Sequence, residues 1–471
     1  MLARPKVFMT SKHPTLRIGA GAGYAGDRVR PALELAEKGQ LDYLVFECLA
    51  ERTIALAQLE RSKHPDLGFD PLLKKRMQAV LAPCIRQGIR VITNMGAANP
   101  LQAGHEVLRV ARELGLPQVR VAVVLGDDVL ALLTARGLAL PLMDSANTLS
   151  ALEQQLISAN AYLGAEALLP ALQTDAQVII TGRVADPALF LAPLMHHFGW
   201  AADDWTRLGK GVLVGHLLEC AGQVTGGYFA DPGFRDVPDL AHLGFPLAEV
   251  DASGDTVITK VPGSGGCVTV ATCTEQLLYE IEDPARYLQP DVVADFSQVQ
   301  LRQVGLDRVE VTGGSGQARP DQLKVTVGYR EGFIAEGQMS YAGPGAVARG
   351  QLALDVLRVR LDEAGFADCE SRYELIGVNA ILGSQPAGAA FTHEAHETHA
   401  AHEPQEVRLR LAMRVATAEQ AQDVVNEVEA LYLNGPASGG GATKLVREVV
   451  AAASVLIPRE WLKPTVRLLE N

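Results

Sequence analysis

Between Leu16 and about Arg183 the chain repeats one pattern: a short apolar, β-branched run, then polar or glycine residues, then a longer stretch with apolar positions three and four apart. A strand covered on both faces reads as a continuous apolar run, and a helix lying on a sheet reads as a three-and-four stripe. The alternation therefore predicts βαβ units around a mainly parallel sheet. The expected strands are Leu16–Ala20, Asp42–Glu47, Ile89–Thr93, Val119–Leu125 and Gln177–Thr181, and their endings read GAGAGYAGDR, ECLAER, NMGAANP, GDDV and TGRVADP. Ligands of parallel α/β sheets bind beyond the carboxyl ends of the strands, so these five loops are where chemistry is expected.

Helices are expected at Ala188–Phe198 and Gly211–Ala221. After Pro232 short strands (Thr256–Val261, Arg308–Thr312, Leu323–Tyr329) alternate with turns and with a helix over Thr274–Ile281, an α+β texture. The expected layout is an α/β domain over 16–230, an α+β part over 231–382, a histidine-rich linker over 383–404 and a small α+β domain over 405–471. In the last, VRLRLAMRVA reads as a strand and Ala418–Leu431 as a helix. The glycine-rich NGPASGGGA then leads to a further helix and two short strands.

With Lys+Arg 42 against Asp+Glu 55 in 471 residues, the net charge is −13. There is no basic footprint for a phosphate backbone, so a nucleic-acid partner is not expected. No run reaches the roughly 20 apolar residues that span a bilayer, and no apolar signal core follows Met1, so the chain reads as cytoplasmic, without a membrane partner. The six cysteines, Cys48, Cys84, Cys220, Cys267, Cys273 and Cys369, form no CxxC, and reduced thiols are the expectation. The composition suits a homo-oligomer, but no feature sets its symmetry.

Gly21-Ala22-Gly23-Tyr24-Ala25-Gly26 is a literal GxGxxG between a strand and a helical stretch, with Glu47 at the end of the next strand. That layout can bind NAD(P), the glycines admitting pyrophosphate and the acid taking ribose hydroxyls. Asp27 argues against it by placing a carboxylate where pyrophosphate would dock. Asp27-Arg28 reads equally as an anion fork with its orienting acid or as a surface ion pair. Asn94 and Asn99 offer carboxamides for a carbonyl oxygen, or simply shape an Asx turn. Arg183 and Asp186, after the very apolar run Val178–Ile180, are either an anion clamp or a structural pair. His216 and Glu219 at i and i+3 share a helix face, fit for proton transfer or for two metal ligands, with Gln223 and Thr225 just beyond; no third ligand is nominated, so no metal is assigned. Gly263, Ser264 and Gly265 form a turn whose N–H groups can cradle an anion or merely reverse the chain. His393, His396, His399 and His402 have chelating spacing in the least structured segment.

Taken together, IGAGAGYAGDR, DYLVFECLAERT (Asp42–Thr53), NMGAANP, NAYLGA, VIITGRVADPALFLAPL, FGWAADDW and GHLLECAGQVTGGYF resemble the acyclic terpene utilisation family, AtuA. So do PDLAHLGFPLAEV, VITKVPGSGG, EQLLYEIEDPARYLQPDV and the closing SVLIPRE. The resemblance covers roughly residues 16 to 365. It implies work on citronellol- and geraniol-type acids handled as CoA thioesters, and a ferredoxin-like small domain carried in the chain or as a partner protein. Relatives read GNASGFYGDR at the first loop, so Gly-Asp-Arg is the matching part and GxGxxG is accidental. The resemblance favours Asp27, Arg28, Asn94, Asn99, Arg183, Asp186, His216 and Glu219 as pocket residues. The resulting expectation is an enzyme acting on a small branched carboxylate or acyl-CoA thioester in a lyase or hydratase step, with no cofactor motif beyond CoA as part of the substrate. The rivals are an NAD(P)-dependent oxidoreductase and a non-catalytic subunit awaiting a partner protein.

Overall fold

The computed structural model describes residues 15–381, 383 and 404–470, so the histidine run at 393–402 lies outside the described residues. Two compact units emerge: the chain up to Tyr329 together with Ala452 onward, and Arg330–Ala451. The first begins with β1 (Leu16–Ala22), α1 (Arg30–Lys38), β2 (Tyr43–Phe46), α2 (Glu51–Lys63), α3 (Leu73–Gln87), β3 (Arg90–Thr93), α4 (Pro100–Glu113) and β4 (Val121–Leu125). It continues with α5 (Leu130–Arg136), β5 (Leu156–Ala161), α6 (Leu169–Leu172), β6 (Val178–Ile180), α7 (Ala188–Phe198) and α8 (Trp205–Glu219). Then come β7 (Pro246–Val250), β8 (Thr256–Lys260), α9 (Val270–Leu278), β9 (Tyr287–Leu288), β10 (Val293–Asp295), β11 (Gln300–Gly305), β12 (Arg308–Thr312) and β13 (Ser315–Gln317). Strand β14 (Gln322–Ala342) leads into the second unit, followed by α10 (Ala346–Leu361), β15 (Ser371–Ile376), β16 (Glu406–Val415), α11 (Ala418–Asn434) and β17 (Gly440–Pro458). The chain returns through β17 to β18 (Thr465–Leu469).

The large sheet runs β11-β12-β8-β7-β1-β2-β3-β6-β4-β18. Its centre, β1-β2-β3-β6-β4, is wholly parallel, and the strands on either side are antiparallel. The central strands are buried along nearly their whole length, as their apolar runs require: YLVF in β2, VII in β6 and VAVVL in β4. Helices α1, α3 and α4 pack in one row and α6, α7 and α8 in another. Helix α7, ALFLAPLMHHF, is buried all round in its first eight residues, which explains its lack of an amphipathic stripe. The chain leaves β3 into α4 and the adjacent β6 into α7, one helix in each row. Departure of neighbouring strands in opposite directions is what opens a ligand crevice at the carboxyl edge of such a sheet.

Several expected boundaries move. The break placed at 230/231 falls inside the sheet, because β7 pairs with β1 and carries β8, β12 and β11 with it. The second unit starts at Arg330 rather than 405. Its order β14-α10-β15-β16-α11-β17, with strands arranged β15-β16-β14-β17, is a split βαβ arrangement of the ferredoxin-like kind. Leu409, Leu411 and Met413 of its sheet pack with Leu354, Leu357, Val424 and Val428 of its two helices. The helix expected after NGPASGGGA is instead strand β17; pairing of a valine-rich run in a sheet overrides its helical spacing.

A buried guanidinium organises the carboxyl edge. Arg76 of α3 is fully buried, and its Nη2 donates to the carbonyl oxygens of Tyr24 (3.2 Å), Ala25 (3.0 Å) and Asp27 (3.3 Å). Its Nη1 reaches Asp70 Oδ2 at 3.2 Å and Cys48 Sγ at 3.1 Å. Three loops are thereby joined to one cation. Gly23 is required here by close approach, since a Cβ would lie 2.4 Å from the Cys220 carbonyl carbon. Replacing Arg76 with Ala leaves Asp70 buried without its cation and strands three carbonyls, so the first unit should lose about 3–5 kcal/mol. Urea denaturation followed by tryptophan fluorescence checks this; a shift within error would remove Arg76 from that role.

Candidate functional site

Beyond the ends of β2 and β6 the first unit has a cavity of about 1000 Å³, lined among others by Glu51, Tyr162, Arg183, Asp186, Tyr287 and Lys324. Arg183 sits at its inner wall with 2% of its surface exposed. Its Nη1 donates to Asp186 Oδ1 at 2.7 Å and to the Leu49 carbonyl, and the guanidinium lies 4.0 Å over the Tyr162 ring. Burial works against the charge, but Asp186 and Tyr162 outweigh it and hold Arg183 more firmly protonated than a free arginine. The turn is fixed from behind by Asp127, whose Oδ2 accepts the Arg183 backbone N–H at 2.8 Å and the Asn160 amide at 2.9 Å. Gly182 is obligatory there, because a Cβ would stand 2.5 Å from that carboxylate.

Glu47, at the end of β2, accepts from the Leu49 N–H and from Asn94 Nδ2, each at 2.8 Å. Burial, reinforced by the charge of Asp186, pushes its carboxyl up to about 8. Glu219 ends α8; burial, then Asp186 and Glu280, raise it well above an ordinary carboxylate. Its partner His216 is lowered by burial to about 4. His216 Nε2 lies 3.2 Å from the Leu277 carbonyl, which only accepts, so Nε2 carries the ring proton. Nδ1 is then the acceptor of the 3.0 Å bond to Glu219 Oε1, and Glu219 is the donor. The pair is a neutral carboxylic acid against a neutral imidazole. Glu219 Oε2 and Arg183 Nε are both buried without a partner, an unsatisfied state that ordinarily costs about 1–3 kcal/mol per group.

Of the expected site residues, Arg183 and Asp186 line the cavity; His216 and Glu219 do not, but His216 packs against the lining residue Tyr287 and Glu219 feels the charge of Asp186. The rest are placed elsewhere. Asp27 accepts the Gly23 N–H at 2.9 Å and the Arg28 N–H at 3.0 Å, bracing its own turn. Arg28 is exposed and donates to the Ala241 carbonyl at 3.0 Å. Asn94 is a positioning residue, tying Glu47 to the Cys48 N–H. Asn99 donates to the Pro65 and Leu67 carbonyls, both at 2.9 Å, and so shapes a loop rather than a ligand. Thr225 is buried on the Gly222 and Gly244 carbonyls, and Gln223 lies in a short helical turn away from the cavity lining. At Gly263, Ser264 and Gly265 no anion cradle forms: the N–H groups of Ser264, Gly265, Gly266 and Cys267 all bond backbone carbonyls. The GxGxxG loop likewise turns carbonyls, not N–H groups, toward its centre, where Arg76 already stands. This corrects the dinucleotide reading, because pyrophosphate would face oxygen atoms instead of donors.

Sequence reasoning missed Tyr162 and Lys324, which share Glu51: Tyr162 donates to Glu51 Oε1 at 2.8 Å and Lys324 Nζ lies 2.6 Å from the same atom. Tyr162 falls in the motif NAYLGA, but nothing local marks it as facing Arg183 across 21 residues of chain. Among the described residues no group of three or more His, Cys, Asp or Glu side chains is arranged to hold a metal ion, and no helix is long and apolar enough to cross a membrane. Cys267 is pushed up by burial, the wrong direction for a nucleophile.

The family profile described as "Acyclic terpene utilisation family protein AtuA" matches residues 16–468. The chain belongs to that family. The match extends beyond the stretch near residue 365 where the resemblance was expected to end, and takes in the second unit. No curated protein and no solved structure matches this chain.

Two pH effects of opposite sign follow from the buried groups. Glu47, raised from 4.5 to about 8, contributes stability that is fully present below pH 4.5 and is lost as pH rises through 8. His216, lowered from 6.5 to about 4, makes the fold lose stability as pH falls from 6.5 toward 4. Above pH 6.5 the Glu47 effect stands clear of the His216 one, with a slope of at most roughly 1.4 kcal/mol per pH unit. Thermal melts of Glu47→Gln between pH 6.5 and 8 should be flatter than those of the wild type. Equal slopes would show that Glu47 does not titrate there.

Proposed function

We propose that this protein is an enzyme of acyclic terpene utilisation that binds a branched carboxylate or its acyl thioester in the Arg183 cavity and adds or removes water, or an equivalent group, next to the carbonyl. The family's description supplies the metabolic setting. The observation that carries the chemistry is the buried, firmly protonated Arg183 held with Asp186 on the wall of one cavity, with the protonated Glu219 near enough for the charge of Asp186 to raise it.

In this reading Arg183 donates to the carbonyl oxygen and stabilises the negative charge that develops there. Asp186, held by Arg183, takes a proton from water as the water oxygen bonds to the β-carbon of an α,β-unsaturated acyl group. Glu219, kept protonated by burial, gives its proton to the α-carbon once the carboxyl turns away from His216 Nδ1. In the reverse direction the same groups remove water. Tyr162, Lys324 and Glu51 hold the face of Arg183. Glu47, protonated near neutral pH, keeps a further negative charge away from the site.

A thermal-shift panel of β-methyl-branched unsaturated acids and their coenzyme A and N-acetylcysteamine thioesters tests the reading. A true ligand at about 100 times its Kd should stabilise the fold by roughly 2.7 kcal/mol. Glu219→Gln preserves a hydrogen bond to His216 but holds no transferable proton, so it should lower kcat by roughly 100-fold or more while Kd changes little. Arg183→Lys should lose binding, since one ammonium cannot serve Asp186, Leu49 and the ligand together. Silence across the acyl panel, or a Glu219→Gln enzyme as fast as the wild type, would overturn the proposal.

A further inference from the structure

Glu219 is the proton donor of the proposed reaction, yet neither it nor His216 lines the cavity. Both ring nitrogens of His216 are taken: Nδ1 faces Glu219 Oε1 at 3.0 Å and Nε2 faces the Leu277 carbonyl at 3.2 Å. Its ring is stacked on Phe296, 5.8 Å between centroids, and meets Tyr287 at 5.6 Å with a tilt of 59°. Tyr287 also stands on the cavity wall, together with Arg183 and Asp186. Strand β9, which carries it, pairs antiparallel with β10 so that Ala294 lies opposite Tyr287. Strands β10 and β13 pack against α8, the helix of His216 and Glu219. The phenol ring is thus held against His216 and, at 5.6 Å, against Phe296, while its hydroxyl makes no hydrogen bond among the described residues. A tyrosine packed in this way ordinarily finds a partner for its O–H. Burial first, and then the charges of Glu219, Asp186 and Glu280, keep this hydroxyl protonated well above the ordinary tyrosine range. Glu219 and Asp186 are the acid and the base of the proposed step.

We infer that the Tyr287 hydroxyl hands the proton of Glu219 to the substrate carbon, which makes Tyr287 a further catalytic residue of the site. This rests on the water-adding reading above and refines its last step. Asp186 takes a proton from water as the water oxygen bonds to the β-carbon. The electron pair of the carbon–carbon double bond then takes up the Tyr287 proton at the α-carbon, so the phenol O–H bond breaks as the new C–H bond forms. The Glu219 proton moves to the phenol oxygen in the same step, which restores the tyrosine and leaves Glu219 as a carboxylate. After the product departs, the proton held on Asp186 returns to Glu219 through the same hydroxyl, which lies in the field of both carboxyls. The cycle closes with one water consumed and every group in its starting state.

Tyr287→Phe keeps the ring against His216 and Phe296 and removes only an unbonded hydroxyl, so the variant should melt with the wild type. Its kcat for a β-methyl-branched unsaturated N-acetylcysteamine thioester should fall roughly 100-fold or more, the size of a lost general acid, while Kd for the same thioester stays within about twofold. Tyr287→Leu loses ring and hydroxyl together and separates packing from proton transfer; both variants should be slow if the hydroxyl acts. A Phe variant as fast as the wild type beside a slow Leu variant would assign Tyr287 to packing alone. That result overturns the inference and leaves the Glu219 reading standing if Glu219→Gln is slow. A Phe variant whose affinity falls in step with its rate would make the hydroxyl a binding group and likewise overturn the relay. Wild-type protein that neither binds nor hydrates any acyl probe removes the water-adding reading, and the relay with it.

Discussion

The carboxyl edge of the parallel sheet depends on one buried cation. Arg76 comes from α3, yet its guanidinium is the common partner of the loop after β1, the residue Cys48 after β2 and Asp70, whose own N–H donates to the Met95 carbonyl after β3. Burying an arginine is costly unless its donors find acceptors, and here Nη2 is met by the backbone carbonyls of the glycine loop and Nη1 by Asp70 and Cys48, while Nε is left without a partner. The loop conformation and the cation thus require each other. A glycine sequence that resembles a pyrophosphate-binding turn is folded around a positive charge from within the protein, and its surface is oriented for that purpose.

A second arginine repeats the device with a different consequence. Arg183 is held by Asp186, the Leu49 carbonyl and the Tyr162 ring, and unlike Arg76 it lines a cavity; its Nε, like that of Arg76, is buried without a partner. Around it stand carboxyl groups whose burial opposes ionisation. Glu47 and Glu219 are both driven toward the protonated form, and Asp186 contributes to each shift. Carboxyls so close together separate into one that pairs with the cation and others that keep their protons. That separation is the usual basis on which one site holds an acid and a base at the same pH.

The central strands, their parallel direction and helices α7 and α11 were legible because hydrophobic period and burial agree along them. Val178–Ile180 can only be a strand covered on both faces, and the eleven residues Ala188–Phe198 were bounded correctly by Pro187 before and Gly199 after. The site was legible in part. Arg183 and Asp186 stood out because a charged pair after an apolar strand has to be explained, and His216 with Glu219 because their spacing puts them on one helix face. Asn99, Arg28 and Ser264 carried the same residue types in similar loops, and their partners turned out to be distant carbonyls that no local pattern could name.

The sequence by itself determined the α/β class, the parallel core and the edge of the sheet at which a ligand would sit, because these follow from short-range periodicity and from the handed geometry of βαβ units. The tertiary structure decided which loop groups are free and which are already bonded. That decision is made by contacts such as Arg76 to Tyr24, Arg183 to Leu49 and Asn94 to Glu47, which join residues 47 to 134 positions apart. Hydrogen-bond satisfaction in a buried edge depends on every group present, and so it is fixed only when the whole first unit has closed around it.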